Sequence, residues 1–249
     1  MGERSLREGR LIRMRVQVIS SVNEASSARF HHKTAIIVDV LCATSTIVSA
    51  LASGSSGIVP VETVMEARAA RQEGDLLGGE RFSRKIPGFD LGNSPEEYCS
   101  PAVKNRRIIF TTTNGTRAIH KSSRADYVLT GALLNATACA KAAVDLRRDV
   151  VILCAGSNDE FAVEDGLCAG LLLDRFQALA GSALELDDFG HAMLSLYCDR
   201  AQSIRETLQH GMTGKKLLKL GLRRDLESCA IIDRYNEVPR LFGDMLINA

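Results

Sequence analysis

Residues 38–48 read VDVLCATSTIV: an apolar run closes around Asp39, and Thr44, Ser45 and Thr46 open the next one. The first run has the continuous apolar character of a buried strand, over 34–40. The second reads as a helix over 44–52. The three hydroxyl residues then fall where a helix begins. Free backbone N–H groups, hydroxyl donors and the helix dipole together favour an anion there. An acid set beside an anion site calls for a cation between the two. Mg2+ suits that place, because it takes one or two carboxylates together with phosphate oxygens and water. A plain helix cap at Thr44 or Ser45, with Asp39 in a structural hydrogen bond, accounts for the same residues without chemistry.

Three further segments carry similar residue types. Residues 78–98, GGERFSRKIPGFDLGNSPEEY, form a long irregular stretch. Ser94 before Pro95 is a good helix start, with Glu96 and Glu97 in the first turn. That leaves Glu80, Asp90, Gly92 and Asn93 unexplained, and they suit a loop reaching a ligand. Residues 111–117, TTTNGTR, give strand, polar turn and helix, a layout that can cradle phosphate through Asn114, Gly115 and Thr116. Arg117 falls in a first helical turn, where the dipole disfavours a cation unless an anion is near. Residues 154–166, CAGSNDEFAVEDG, set Glu164 and Asp165 side by side before an apolar run. Two inward acids there would need a metal or a basic partner, so at least one is expected to face solvent.

These segments follow strands in an alternating strand and helix pattern. Strands are expected near 14–20, 34–40, 57–61, 76–79, 107–111, 127–130 and 150–154. Helices are expected near 44–52, 64–72, 115–120, 136–145 and 161–179. Apolar strands separated by helices imply an α/β fold, a mostly parallel sheet covered by helices on both faces. Right-handed crossovers put the strand C-termini on one edge, where open α/β sheets bind ligands. From residue 187 onward only helices are expected. The domain reading is therefore a phosphate-handling core over 14–186 and a helical C-terminal subdomain over 187–249. Residues 1–13 are basic and polar, and read as a flexible tail or a misassigned start with Met14 as initiator.

Composition narrows the function. The 249 residues carry a net charge of +1 and no Trp, which argues against nucleic acid or an anionic membrane as partner. No apolar run approaches the roughly 18 residues of a membrane span. Seven scattered cysteines, with no CxxC pair, indicate reduced thiols in a cytoplasmic protein rather than a zinc or redox motif. The five histidines lie away from these turns. A GxSxG elbow and a Walker A spacing are both missing. Four loops of acids, hydroxyls and glycines at one sheet edge converge on metal-assisted handling of a phosphorylated small acid. A homodimer is the default expectation at this size.

The stretches DVLCATSTIVSAL, GGERFSRKIPGFDLGNSPEEY, TTTNGTRAI and CAGSNDEFAVEDGLCAG resemble the 2-phosphosulfolactate phosphatase family, in order and from about Met14 to the C-terminus. The resemblance implies an Mg2+-dependent α/β enzyme of coenzyme M biosynthesis that hydrolyses (R)-2-phospho-3-sulfolactate to 3-sulfolactate and phosphate. On that basis Asp39, Glu80, Asp90 and Asp165 are expected as metal ligands or general base. Thr44, Ser45, Thr46, Asn93, Asn114, Gly115, Thr116 and Arg117 are expected as phosphate or sulfonate contacts. One departure stands out: Cys42 occupies the place of an arginine in the family pattern. A cysteine cannot replace that charge, which implies weakened or altered substrate binding. Two rival readings follow. A haloacid-dehalogenase-like phosphatase would use Asp39 as nucleophile, but needs a second acid where Leu41 stands. A non-catalytic anion-binding protein would have lost turnover with the arginine.

Overall fold

The computed structural model describes residues 14–249; the expected tail or alternative start over 1–13 lies outside them. Strands and helices alternate through most of the chain. They run β1 (Met14–Ile19), β2 (Thr34–Val38), α1 (Ala43–Ala52), β3 (Gly57–Pro60), α2 (Val64–Ala70), β4 (Leu76–Arg81) and β5 (Arg84–Lys85). Then come α3 (Pro95–Tyr98), β6 (Arg107–Thr111), α4 (Gly115–Lys121), β7 (Tyr127–Gly131), α5 (Ala136–Asp145), β8 (Val150–Cys154) and α6 (Val163–Ala180). The chain continues with β9 (Leu184–Leu186), α7 (Asp188–Arg200), α8 (Ile204–His210), α9 (Met212–Lys219) and α10 (Arg223–Cys229), and closes with β10 (Pro239–Phe242) and β11 (Met245–Asn248). Thr63 and Glu66 form a reciprocal capping box on α2, and the Asp187 carboxylate accepts from the Gly190 N–H on α7. α3 starts at Pro95 as expected, but Ser94 makes no side-chain cap and gives its hydroxyl to Asp225.

The strands form one sheet in the order β5-β4-β6-β3-β11-β10-β7-β2-β8-β1-β9. β4, β6 and β3 pair in parallel, as do β7, β2, β8, β1 and β9. The β10–β11 hairpin is antiparallel to both groups and joins them, through β7 on one side and β3 on the other. This corrects the expectation of an all-helical tail. The hairpin turns on Gly243 at φ +61, the backbone that a two-residue loop with glycine first requires.

Each fully buried strand divides its side chains between two cores, as period-two alternation dictates. Val16, Val18, Ile36, Val38 and Ile152 pack with α5, α6 and α7. Their neighbours Ile19, Ala35, Ile37 and Val151 share a second core with α1, and with Ile108 and Phe110 of β6. β2 and β6 stand five places apart in the sheet, which in a flat sheet at ~4.8 Å per strand would separate them by more than ~20 Å. They nevertheless share a core, so the sheet curls and its two parallel halves face each other. Residues 43–51 of α1 are all buried inside that curl. Among the described residues no helix is long and apolar enough to cross a membrane.

Candidate active site

The curl brings the C-terminal ends of β2, β4, β6 and β8 around one cavity of about 370 Å³. Asp39 enters it from the end of β2, Glu80 from β4, and Thr113 and Asn114 from the turn after β6. Gly156, Ser157 and Asn158 enter from the turn after β8, and Glu164 and Asp165 from the start of α6. Further lining comes from the β4–β5 hairpin and from α9 and α10, including Arg84, Lys85, Lys216 and Asp225. The convergence of strand ends is the one that parallel topology predicts.

Asp39 is held by backbone. The backbone N–H groups of Ala43 and Gly115 lie near its carboxylate and favour its charged form. Burial pushes its pKa up to about 7, and the nearby charges of Glu80 and Glu164 add to the rise against those two donors. Asp165 bridges two strand ends: Oδ1 accepts from the Val40 N–H at 2.8 Å and Oδ2 from the Gly156 N–H at 2.9 Å. Burial, then Asp39 and Glu164, hold its pKa well above the carboxylate range. Glu80 accepts from the Thr113 N–H and hydroxyl on Oε1 and from the Ser83 N–H on Oε2.

Glu164 is the residue that sequence reasoning under-weighted. It and Asp165 are each 2% exposed, so both adjacent acids point inward, against the expectation that one would face solvent. Glu164 Oε2 and the Thr213 hydroxyl beside it are both buried with no hydrogen bond of ordinary geometry; burial raises the Glu164 pKa, and the Thr213 hydroxyl acts against that rise. The Asn93 Oδ1 atom lines the same cavity, also buried without a partner. An orphaned carboxylate oxygen of this kind costs free energy unless a proton or a cation meets it.

Several expected contacts are placed elsewhere. Thr44, Ser45 and Thr46 are fully buried and spend their hydroxyls on backbone. Thr44 Oγ1 donates to the Asp39 carbonyl at 2.9 Å and accepts from the Asp39 N–H at 3.0 Å. Ser45 donates to the Val40 carbonyl and Thr46 to that of Asn93. The three hydroxyls therefore fix the loop that carries Asp39 and do not line the cavity. Thr116 similarly bonds back to Thr112. Arg117 pairs with Asp159 at 3.1 Å and with Asn23 outside the cavity, so its anion is a carboxylate of its own chain. Asp90 is exposed and off the cavity. Its carboxylate accepts from the Leu77 N–H and meets Arg71 at 3.2 Å. Asn114 does reach the site, donating from Nδ2 to the Gly156 carbonyl at 3.0 Å. Gly115 contributes its N–H.

Cys42 lines the cavity as a neutral thiol. Its hydrogen bond with Cys229 of α10 and its burial both push its pKa well above the ordinary value. Arg84 and Lys216 were not anticipated. An adjacent lysine pair on an amphipathic helix reads as a solvated face, and only the folded arrangement turns Lys216 toward the cavity. Among the described residues, no group of three or more His, Cys, Asp and Glu side chains is set to hold a metal ion by itself.

A family model described as 2-phosphosulpholactate phosphatase matches residues 19–243. The chain is 37% identical over 232 residues to a probable 2-phosphosulfolactate phosphatase of Caldanaerobacter subterraneus, covering 92% of this chain and 95% of that one. It is 38% identical over 216 residues to one so named from Thermotoga maritima, covering 86% and 92%. With the one from Symbiobacterium thermophilum it shares 40% over 222 residues, covering 88% and 95%.

Proposed function

Because this chain belongs to the 2-phosphosulpholactate phosphatase family and is thereby a phosphoric monoester hydrolase, we propose that it hydrolyses 2-phosphosulfolactate to sulfolactate and phosphate with Mg2+. The observation that supports this reading is the orphaned, buried Oε2 of Glu164, in a cavity shared with Asp39, Glu80 and Asp165. The donor set fits a hard cation, since every acid there offers oxygen. Mg2+ completes its shell with phosphate oxygens and water, so a ready-made cage of three carboxylates is not required. Asp39 and Glu164 are the residues that would hold it. Bound there, Mg2+ would neutralise charge on the phosphate as the ester bond breaks.

The remaining roles follow from the side chains themselves. Asp39, whose pKa is raised to about 7 with no cation beside it, would give up its proton as Mg2+ binds, so that a charged carboxylate meets the cation. Asp165 fixes the turn after β8 to the end of β2, and Glu80 fixes the β4–β5 hairpin to the turn after β6. Asn93, with its free Oδ1, is placed to orient substrate or water. Seven unpaired cysteines support a reducing compartment, and the reaction belongs in the cytoplasm as a step toward coenzyme M.

The test is phosphate release by purified protein from a panel of phosphorylated hydroxy acids, with Mg2+ and with EDTA. Metal-dependent release from 2-phosphosulfolactate is expected, with Glu164→Gln at least ~100-fold slower. A rise in Tm with ligand but no phosphate release would instead support a non-catalytic anion-binding member of the family.

A further inference from the structure

The cavity lining carries cations as well as acids: Arg84, Lys85 and Lys216 stand there with Asp39, Glu80, Glu164 and Asp165. Lys85 is already engaged, its Nζ donating to the Asp90 carbonyl at 2.6 Å. Asp225 and Glu97, which also line the cavity, are engaged as well. Ser94 donates to Asp225 at 2.5 Å and the Gly92 N–H to Glu97 at 2.9 Å. Among the described residues, the side chains of Arg84 and Lys216 have no carboxylate or carbonyl partner, although six acids line the same cavity.

The position of Arg84 is imposed by the backbone. The β4–β5 turn places Phe82 at φ +56 and Ser83 at φ +63, two consecutive left-handed residues that are not glycine. Such backbone costs free energy and persists where surrounding contacts over-determine it. Here the Glu80 carboxylate accepts the Ser83 N–H at 2.6 Å and pins the turn. Phe82 is 77% exposed, so burial of its ring does not account for the strain. The residue that follows this strained turn, Arg84, lines the cavity, and so does Lys216 of α9.

We propose that Arg84 and Lys216 form an anion subsite that selects phosphate monoesters bearing a second, strongly acidic group, such as a sulfonate. This deepens the phosphatase reading and rests on it for the reaction. The phosphate would lie beside Asp39 and Glu164, which would hold the cation, and the second anion would meet Arg84 and Lys216. An arginine fork and a lysine point charge together suit a three-oxygen anion better than a neutral substituent. This arrangement supplies positive charge from the β4–β5 hairpin and α9 in a cavity where position 42 supplies none.

The experiment compares Arg84→Gln, Lys216→Gln and the double variant with the unaltered protein, all with Mg2+. The substrates are 2-phosphosulfolactate and 2-phospholactate, which has a hydrogen where the sulfonate stands. Calorimetry with 3-sulfolactate gives a binding readout independent of turnover. Each single variant is expected to lower the ratio of kcat/KM for phosphosulfolactate to that for phospholactate by at least ~10-fold, mostly through KM, and to weaken sulfolactate binding in parallel. Equal losses on both substrates, or no loss on either, would overturn the subsite. If the unaltered protein binds sulfolactate and the variants do not, yet no phosphate is released, the subsite stands and the phosphatase reading falls. Absence of both binding and turnover in the unaltered protein would overturn both.

Discussion

Gly115 lies against the Asp39 carboxylate: a β-carbon on residue 115 would lie 2.8 Å from Asp39 Oδ2 and 2.5 Å from the Ala43 Cβ. Glycine is needed here for close approach, because a side chain would displace the acid that faces the cavity. Gly115→Ala should therefore fold and lose about 100-fold in kcat, the scale on which small misplacements act. Circular dichroism and steady-state kinetics check this, and an alanine variant with native kcat would remove Asp39 geometry from the mechanism.

The buried acids make stability depend on pH and on metal. Asp39 binds its proton up to about pH 7 when folded, whereas an unfolded Asp releases it near its ordinary, much lower pKa. Its contribution is complete below the unfolded pKa and is lost as pH rises through about 7. Glu164 and Asp165, also raised, act in the same direction. In EDTA, Tm should fall between about pH 5 and about pH 8, Asp39→Asn should flatten that fall, and Mg2+ should restore stability at the upper end. An Asp39→Asn profile parallel to the unaltered one would sink the assignment.

Asp90 separates structural from catalytic acids. Its bond from the Leu77 N–H and its half-exposed pairing with Arg71 hold the loop against β4. Asp90→Ala should cost about 1 kcal/mol in urea denaturation while leaving kcat/KM within about twofold. A large kinetic loss at unchanged stability would return Asp90 to the metal-ligand set.

Thr44 and Arg117 should behave in opposite ways. Thr44→Val leaves the Asp39 N–H without its acceptor, at a cost of about 1–3 kcal/mol, and slackens the loop that aims Asp39, so stability and kcat fall together. Arg117→Gln removes a pair with an Asp159 side chain that is 63% exposed, and should change stability by less than about 1 kcal/mol, with little effect on phosphate release.

Much of this was legible in the sequence. Apolar strands and periodic helices fixed the α/β class, with β6, α5 and β8 bounded at the residues expected. Strand-end logic located Asp39, Glu80, Asn93, Asn114 and Asp165 at one cavity, with Gly115 packed against Asp39. What failed has a common cause: residue type shows that a group can bond, and not what it bonds. Thr44, Ser45 and Thr46 satisfy backbone groups of their own loops, and Arg117 finds an internal acid. Lys216 and Arg84 come from elements far apart in sequence, and no local pattern marks them as partners. The β10–β11 hairpin was missed because its strands are four residues each and follow a run of helices.

That hairpin also orders events on the ribosome. β10 and β11 occupy the middle of the sheet but are translated after every strand they join. A nascent chain that has emerged through residue 238 carries two parallel half-sheets, and β3 and β7 each offer an unpaired edge. Open edges accept whatever strand arrives first, including one from a neighbouring chain. Residues 239–248 are in effect a latch delivered after the strands they join, and a stop or stall just before them would leave a molecule with every acid of strands β2 and β4 and helix α6 in place and two edges ready to pair with a neighbour.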